Sequence, residues 1–132
     1  MTRGAFFDTN VPLYLLCDDL AKAGRAEDLL AEGGTISVQV LNEFVAVARR
    51  KYLLPWPAIE SALASLRHVC KVEPLTVQIH ERAVVLAKRF AIPIYDATIA
   101  ASALEAGCLI LYSEDFQHEQ VLDGMTIRNP FV

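Results

Sequence analysis

The sequence has few cysteine residues, and they are not paired. Cys17, Cys70 and Cys108 are far apart in 132 residues, no two form a C-x-x-C pair, and no histidine stands at zinc-site spacing from them. The pattern therefore predicts neither a disulfide framework nor a structural zinc site. We expect three reduced thiols in the core of a cytoplasmic protein, since a chain of this length buries a sufficient core without such cross-links.

Long apolar runs are also missing. Charged residues interrupt each apolar stretch well before the roughly 18 residues that a membrane-spanning helix needs, and Asp8 interrupts the start before a secretory signal can form. We expect no signal peptide and no membrane association. Basic residues are scarce too: 12 Lys and Arg against 16 Asp and Glu give a formal net charge of -4. That charge does not by itself favour nucleic-acid binding, because phosphate contacts need Lys and Arg.

The composition that is present indicates a folded, strongly apolar protein. Hydrophobic residues make up 54% and charged residues 21% of the chain, which excludes intrinsic disorder. The length predicts a single domain over residues 1–132. The apolar content indicates large buried surfaces, including a subunit interface, as in a small homo-oligomer.

Short apolar strands alternate with helical patterns along the whole chain. Strands are predicted at residues 4–7, 35–37, 69–72, 108–112 and 125–128. Asn10, Ser37 and Thr76 are predicted to cap helices, and another helix is predicted to begin at Asp96. This alternation predicts an α/β fold, a three-layer α/β/α sandwich with a central parallel β-sheet.

Four acidic residues stand out by their positions: Asp8, Glu43, Asp96 and Asp115. Asp8 ends the first strand and Asp115 follows a later one, so both are expected at the carboxyl edge of the sheet, where ligands bind in open α/β folds. Glu43 borders the apolar face of its helix. Carboxylates converging there would repel by about 4 kcal/mol per pair at ~4 Å and an effective dielectric of ~20. The pattern therefore predicts a metal site.

Each of these acids also has an ordinary explanation. Asp8 suits a turn, Asp96 a helix cap, Asp115 a loop and Glu43 a solvated helix position. The joint pattern favours the metal site, because Asp8 directly continues an apolar strand, where an unpaired charge is expensive. Asn10 is also better placed than Asp8 to cap the first helix.

Four segments carry a resemblance to a known family: residues 7–11 (FDTNV), 42–44 (NEF), 94–103 (IYDATIAASA) and 111–116 (LYSEDF). In this order and spacing they resemble the motifs of PIN-domain nucleases, and most of all the VapC-type toxins of toxin–antitoxin pairs. The likeness extends from the first strand to residues 129–131. It implies a parallel sheet with helices on both sides, RNA cleavage, a site of three or four acids that binds Mg²⁺ or Mn²⁺, and frequent dimerisation.

The resemblance also implies roles for single residues. Asp8, Glu43 and Asp96 match the first three acids of the family, and Asp115 matches the fourth, with Glu114 as the alternative if the loop turns differently. Oxygen ligands of this kind favour hard cations. We expect Asp8, Asp96 and Asp115 to be metal ligands, directly or through water, and Glu43 to orient the attacking water or complete a second site.

Polar neighbours of these acids match supporting positions of the family. Thr9 and Ser113 match hydroxyl groups that support the ligands or hold a bound water, and Asn10 either does the same or only caps its helix. Hydrolysis at such a site needs no histidine. We expect the three histidines at the surface: His68, His80 and His118.

Basic residues near the acids are candidates for gripping RNA. Arg49, Arg50 and Lys51 lie on the predicted helix of Glu43, with Arg3 and residues 88–89 as further candidates; the alternative is that such charges only complement helix ends. Aromatic residues near this run, Tyr52 and Trp56, are expected to stack on bases or to pack in a core or interface. Residues 53–56 are also predicted as a groove for an antitoxin segment.

The predicted function is a Mg²⁺-dependent endoribonuclease, the toxin of a pair, held inactive by an antitoxin protein. One alternative is an RNA-processing or decay nuclease without an antitoxin. Another is a non-catalytic PIN-like interaction module, whose acids serve as caps or partner contacts. A phosphatase with an aspartyl nucleophile ranks last, because Asn10 stands where the Asp-x-Asp motif of haloacid-dehalogenase-type phosphatases needs its second acid.

Overall fold

Strands and helices alternate along residues 4–132, the part of the chain that this computed structural model describes. The strands are β1 (Ala5–Phe7), β2 (Gly34–Ser37), β3 (Cys70–Glu73), β4 (Ile110–Tyr112), β5 (Val121–Leu122) and β6 (Met125–Arg128). The helices are α1 (Asn10–Leu13), α2 (Leu20–Ala31), α3 (Val38–Arg50), α4 (Trp56–Val69), α5 (Val77–Phe90) and α6 (Ile94–Glu105), and a 3-10 turn at Tyr14–Leu16 extends α1. The predicted strands are each found within about two residues of their expected bounds.

The strands form one sheet in the order β3-β2-β1-β4-β6-β5. β1 lies at its centre and pairs in parallel with β2 and β4, with Ala5 opposite Ile110 and Phe7 opposite Tyr112 on the β4 side. All three residues of β1 are buried, as expected for a strand that helices cover on both faces. The predicted three-layer α/β/α sandwich is confirmed.

The edge of the sheet differs from the prediction. β5 was not predicted, and it pairs antiparallel with β6, Leu122 opposite Met125, so the sheet is parallel except at this edge. Asp123 and Gly124 join the two strands with φ values of 48° and 86°. An Asp-Gly pair with positive φ at both residues is typical of a tight hairpin turn. The Asp-Gly dipeptide was the sequence signal that could have predicted β5.

Two of the predicted helix caps are confirmed. The Ser37 hydroxyl accepts a hydrogen bond from the backbone N–H of Val40 at 3.4 Å, and the Thr76 hydroxyl accepts one from Ile79 at 3.1 Å. These side chains satisfy backbone donors that the first helical turn leaves free. They fix the starts of α3 and α5.

Two other helix starts were wrong. Thr9 occupies the position before α1, and Asn10 is its first helical residue, so Asn10 is not the cap. α6 begins at Ile94, directly after Pro93, and not at Asp96. Pro93 has extended backbone angles suited to a helix entrance, and the helix therefore starts two residues early. Asp96 then lies in the first turn, where the helix dipole favours a negative charge.

The cysteines are free thiols. Cys70 and Cys108 are buried as expected, whereas Cys17 is only partly buried, at the end of the turn after α1, so its placement in the core was wrong. Within residues 4–132, no helix has both the length and the apolar character that crossing a membrane requires.

Gly34 allows β1 and β2 to pack closely. A Cβ atom added at Gly34 would lie 2.6 Å from Cε2 of Phe7 and 3.1 Å from the carbonyl oxygen of Ala5. The Phe7 ring is buried and stacks on Tyr112, with 5.9 Å between ring centroids, so it has little room to move. We expect Gly34→Ala to lower the free energy of unfolding by about 1–3 kcal/mol, measured by urea denaturation.

Gly24 provides the matched control. It lies within α2, and a Cβ added there would meet nothing within 4 Å. Since glycine disfavours a helix interior relative to alanine, Gly24→Ala should raise the free energy of unfolding by roughly 0.5–1 kcal/mol. Equal stability of Gly34→Ala and the wild type would contradict the close packing of β1 on β2.

Candidate functional site

Asp8 lies at the carboxyl end of β1 and is 3% exposed. Its Oδ1 accepts a hydrogen bond from the backbone N–H of Thr9 at 2.6 Å, and its Oδ2 accepts one from the Ser113 hydroxyl at 2.7 Å. Ser113 follows β4, the parallel neighbour of β1, and the Asp8 N–H donates to the Tyr112 carbonyl at 2.9 Å. The register of two central strands therefore brings Asp8 and Ser113 together.

Hydrogen bonds from the predicted supporting residues also position two further acids. The Thr9 hydroxyl donates to Oε1 of Glu43 on α3 at 2.7 Å. The Asn10 amide donates to Oδ2 of Asp115 at 3.2 Å, and the Asp115 N–H donates to the Ser113 hydroxyl at 3.0 Å. The motif after β1 thus links the acid on α3 to the acid after β4.

The four predicted acids line one pocket. Its wall is formed by Asp8, Thr9, Asn10, Leu13, Glu43, Val47, Asp96 and Asp115, which we call the acid pocket. Asp8 and Asp96 therefore do not lie on separate surfaces, because both line this pocket. No lining residue identified in the described part of the chain is basic.

Gln39 is a positioning residue that the sequence analysis missed. It is buried, and its side-chain amide donates to the backbone carbonyl of Tyr95 at 3.0 Å. This bond ties the first turn of α3 to the first turn of α6, the helices that carry Glu43 and Asp96. Gln39 stands four residues before Glu43 on the same helix face, and that spacing was the available signal.

Burial and neighbouring negative charges both raise the pKa of Asp8 and of Asp96. Burial raises the pKa of Asp8 to about 7; the Ser113 hydroxyl and the Thr9 N–H oppose this shift, and the nearby charges of Asp115 and Glu43 add to it. The pKa of Asp96 is also raised, first by burial and then by Asp115 and Glu43. Among the described residues that line the acid pocket, none is positively charged to compensate these carboxylates.

The donor set fits a hard divalent cation. Carboxylate, hydroxyl and amide oxygens surround the acid pocket, and such ligands suit Mg²⁺ and Mn²⁺. Within residues 4–132, however, no three acidic, histidine or cysteine side chains already converge closely enough to hold an ion together. The metal-binding roles of Asp8, Glu43, Asp96 and Asp115 remain predictions.

The structure separates Glu114 from Asp115. Asp115 lines the acid pocket, whereas both carboxylate oxygens of Glu114 lie near the Tyr14 hydroxyl, at 2.9 and 2.7 Å, beside a neighbouring pocket. The loop turn therefore makes Asp115 the fourth acid of the acid pocket. The alternative assignment of Glu114 to that place does not agree with this geometry.

The basic residues at the end of α3 do not share one environment. The Arg49 guanidinium donates to the Leu54 carbonyl at 2.9 Å and lies 4.8 Å from the centroid of the Trp56 ring. Arg49 therefore stabilises the connection to α4. Trp56 is 53% exposed, so it is not a core residue. Arg50 is exposed at the end of the helix.

Lys51, the last residue of this run, lines a pocket that adjoins the acid pocket. Its ammonium lies 5.4 Å from the centroid of the Tyr52 ring, and both side chains line the pocket next to the acid pocket. Arg89 is paired with Asp123, which leaves it less suited to RNA. Arg3 lies outside the described residues. The histidines are exposed as expected: His68, His80 and His118.

Comparisons with a family profile and with solved structures find proteins of the same fold. The family profile described as PIN domain matches residues 5–122. The chain is 26% identical to Mycobacterium tuberculosis VapC20, a sarcin-ricin loop cleaving toxin, with a TM-score of 0.70 over 86% of this chain and 91% of that one. Comparison with curated proteins gives no significant match.

More distant structures share the fold. A toxin–antitoxin complex from Klebsiella pneumoniae is 23% identical, with a TM-score of 0.71 over 96% of this chain and 97% of that one. VapBC2 from Rickettsia felis, bound to a DNA fragment from its promoter, is 17% identical, with a TM-score of 0.68 over 94% and 96%. At these identities the likeness establishes the fold alone.

Asp8→Asn tests the electrostatics of the acid pocket without metal. The pKa of Asp8 rises from 3.8 to about 7 on folding, so folding favours its protonated form. The associated stability is present below about pH 4 and is lost as the pH rises through about 7. Asparagine does not titrate, so the Asp8→Asn variant does not lose this stability as the pH rises. We expect the stability of Asp8→Asn relative to wild type to increase by about 2–4 kcal/mol between about pH 4 and pH 8.

Asp28→Asn is the matched control, because Asp28 is an exposed residue of α2. Its stability relative to wild type should change little over the same pH range. Urea denaturation in the presence of a chelator measures both variants. A pH-independent effect of Asp8→Asn would show that Asp8 is not held in the buried, acid-rich environment described above.

Proposed function

This chain belongs to the PIN-domain family, and from that premise we propose that it is a Mg²⁺-dependent endoribonuclease that hydrolyses RNA phosphodiester bonds. The observation that carries the proposal is the acid pocket, where residues from β1, α3, α6 and the loop after β4 meet. The likeness to VapC20, a toxin that cleaves the sarcin-ricin loop, supports RNA as the substrate class.

The side chains of the acid pocket have separate roles in the proposed reaction. When bound, a divalent cation supplies charge neutralisation for a phosphodiester and acidity for a nucleophilic water. Asp8, Asp96 and Asp115 would hold it. Asp8 is the best-fixed of these, because the Ser113 hydroxyl and the Thr9 N–H each bind one of its oxygens.

Glu43 has a separate role in the proposal. Its Oε1 is held by the Thr9 hydroxyl, which leaves Oε2 to orient the attacking water and accept its proton. No histidine is needed as a base, which agrees with the exposed positions of the three histidines. Leu13 and Val47 add apolar side chains to the wall of the pocket.

We further propose that the protein is the toxin of a type II toxin–antitoxin pair, a cytoplasmic homodimer held inactive by its antitoxin. The shared fold of the Klebsiella and Rickettsia complexes supports this assignment. Leu53 and Trp56 are 78% and 53% exposed, and exposed apolar side chains of this size suit burial against a partner. They offer a surface for an antitoxin segment.

RNA cleavage tests the nuclease. The purified protein should cut a structured RNA when Mg²⁺ or Mn²⁺ is added and stop when a chelator is present, and Asp8→Asn should abolish cleavage. Ser113→Ala removes one of the two hydrogen bonds to Asp8 and should lower kcat/KM by about 10–100-fold. Asp28→Asn should cleave like the wild type. Cleavage that survives both the chelator and Asp8→Asn would refute the acid pocket as the active site.

Expression in cells tests the toxin assignment. Expression of the chain alone should arrest growth, because unrestrained RNA cleavage is toxic, and Asp8→Asn should not. Co-expression of a short neighbouring frame that encodes a DNA-binding protein should restore growth. Growth that is unaffected by an RNA-cleaving wild type would favour an RNA-processing nuclease without an antitoxin.

A further inference from the structure

Asp115 is the most exposed of the four acids that line the acid pocket. Asp8 is buried, Glu43 and Asp96 are half-buried, and Asp115 is exposed on the loop after β4. Its Oδ2 accepts a hydrogen bond from the Asn10 amide at 3.2 Å, which is at the long end of the range for N–H···O bonds. The placement of Asp115 in the pocket therefore depends on what holds its loop.

The residue before Asp115 anchors this loop. The Tyr14 hydroxyl donates to the Glu114 carboxylate and lies 2.9 and 2.7 Å from its two oxygens. Burial, and then the hydrogen bond and charge of Glu114, raise the pKa of Tyr14 to about 12, so the hydroxyl keeps its proton at neutral pH. The Tyr14 ring is itself held by Phe131, at 4.3 Å between ring centroids, and by the Lys22 ammonium at 5.0 Å. A hydrogen bond to an ionised carboxylate is stronger than one between neutral groups.

One short helix bonds to both acidic residues of the loop. Asn10 begins α1 and Tyr14 directly follows it, and the Tyr14 N–H donates to the Asn10 carbonyl. Side chains four residues apart lie on the same face of a helical turn. From this face Asn10 bonds to Asp115, and Tyr14 bonds to Glu114. Two adjacent residues of the loop are therefore attached to one helical turn.

We propose that Tyr14 is a positioning residue that acts through Glu114 to hold Asp115 in the acid pocket. This inference rests on the proposed function, and specifically on its metal site. Two bonds fix the direction of the loop as well as its position, because a single bond leaves the loop free to turn about it. Without the Tyr14 hydroxyl, the Asp115 side chain would depend on the 3.2 Å bond from Asn10. Tyr14 lines the neighbouring pocket and not the acid pocket, so its effect on a metal would be transmitted through the loop.

Metal binding measures this positioning without RNA. Isothermal titration calorimetry with Mn²⁺ should show roughly 10-fold weaker binding to Tyr14→Phe than to the wild type, as for other residues that orient a metal ligand. Phenylalanine keeps the ring and changes no charge, so the hydroxyl alone is tested. Tyr95→Phe is the matched control, because it removes the hydroxyl of a tyrosine that is 68% exposed, and it should bind Mn²⁺ like the wild type. Equal Mn²⁺ affinity of Tyr14→Phe and the wild type would overturn the proposal.

Two substitutions at Glu114 separate the hydrogen bond from the charge. Glu114→Gln and Glu114→Ala both remove the charge, but glutamine keeps an oxygen that can accept the hydrogen bond from Tyr14. Glu114→Gln should therefore bind Mn²⁺ more tightly than Glu114→Ala. Adding Tyr14→Phe to Glu114→Ala should weaken Mn²⁺ binding little further, because both changes break the same bond. Equal affinities of the two Glu114 variants, or losses that multiply in the double variant, would contradict the positioning role.

Cleavage kinetics distinguish positioning from direct contact with RNA. At limiting Mg²⁺, Tyr14→Phe should lower kcat and leave KM for RNA nearly unchanged, and excess Mg²⁺ should restore kcat. A raised KM for RNA with unchanged Mn²⁺ affinity would overturn the proposal, because Tyr14 would then contact the RNA. Urea denaturation checks that each variant is folded. If Tyr14→Phe is unfolded, the comparison of Glu114→Gln with Glu114→Ala decides the proposal.

The binding and cleavage results separate this inference from the nuclease. Weaker Mn²⁺ binding by Tyr14→Phe, in a protein that cuts no RNA, would refute the nuclease and retain the positioning role. Mg²⁺-dependent cleavage by the wild type, with equal Mn²⁺ affinity in Tyr14→Phe, would retain the nuclease and refute the positioning role. A wild type that binds no Mn²⁺ would refute both the metal site and its positioning by Tyr14.

Discussion

Negative charge gathered at the carboxyl edge of the sheet is the constraint on which the site depends. Asp8 is buried beside Asp115 and Glu43, and burial raises its pKa to about 7 despite the hydrogen bonds from Ser113 and Thr9. A buried carboxylate without hydrogen-bond partners or a compensating charge destabilises the folded state. The neighbouring polar groups therefore donate hydrogen bonds to the acids but do not neutralise them. A divalent cation would compensate the remaining negative charge.

The central strands and two packed helices of the fold position these groups. β1 and β4 are central parallel neighbours, so Asp8 and Ser113 leave the sheet side by side. Gln39 joins α3 to α6 through the Tyr95 carbonyl and so relates the two helices that supply Glu43 and Asp96. A site built on strands and packed helices keeps its geometry better than one built on loops alone.

The fold places side chains that are adjacent in sequence in different surroundings. Glu114 and Asp115 line different pockets, because the loop after β4 sends them in different directions. Arg49 stabilises the connection to α4, whereas Lys51 lines the pocket next to the acid pocket. The two pockets share Asn10, Leu13 and Val47 as lining residues.

The sequence by itself determined what local rules decide. An apolar strand that ends in Asp8 marked the sheet edge, and Ser37 and Thr76 marked helix starts, because strand burial and capping depend on a few neighbouring residues. The Asp-Gly signal for β5 was also local, but it was overlooked. Only the tertiary structure decided which of Glu114 and Asp115 joins the other acids, since that choice depends on strand register and helix packing between residues distant along the chain.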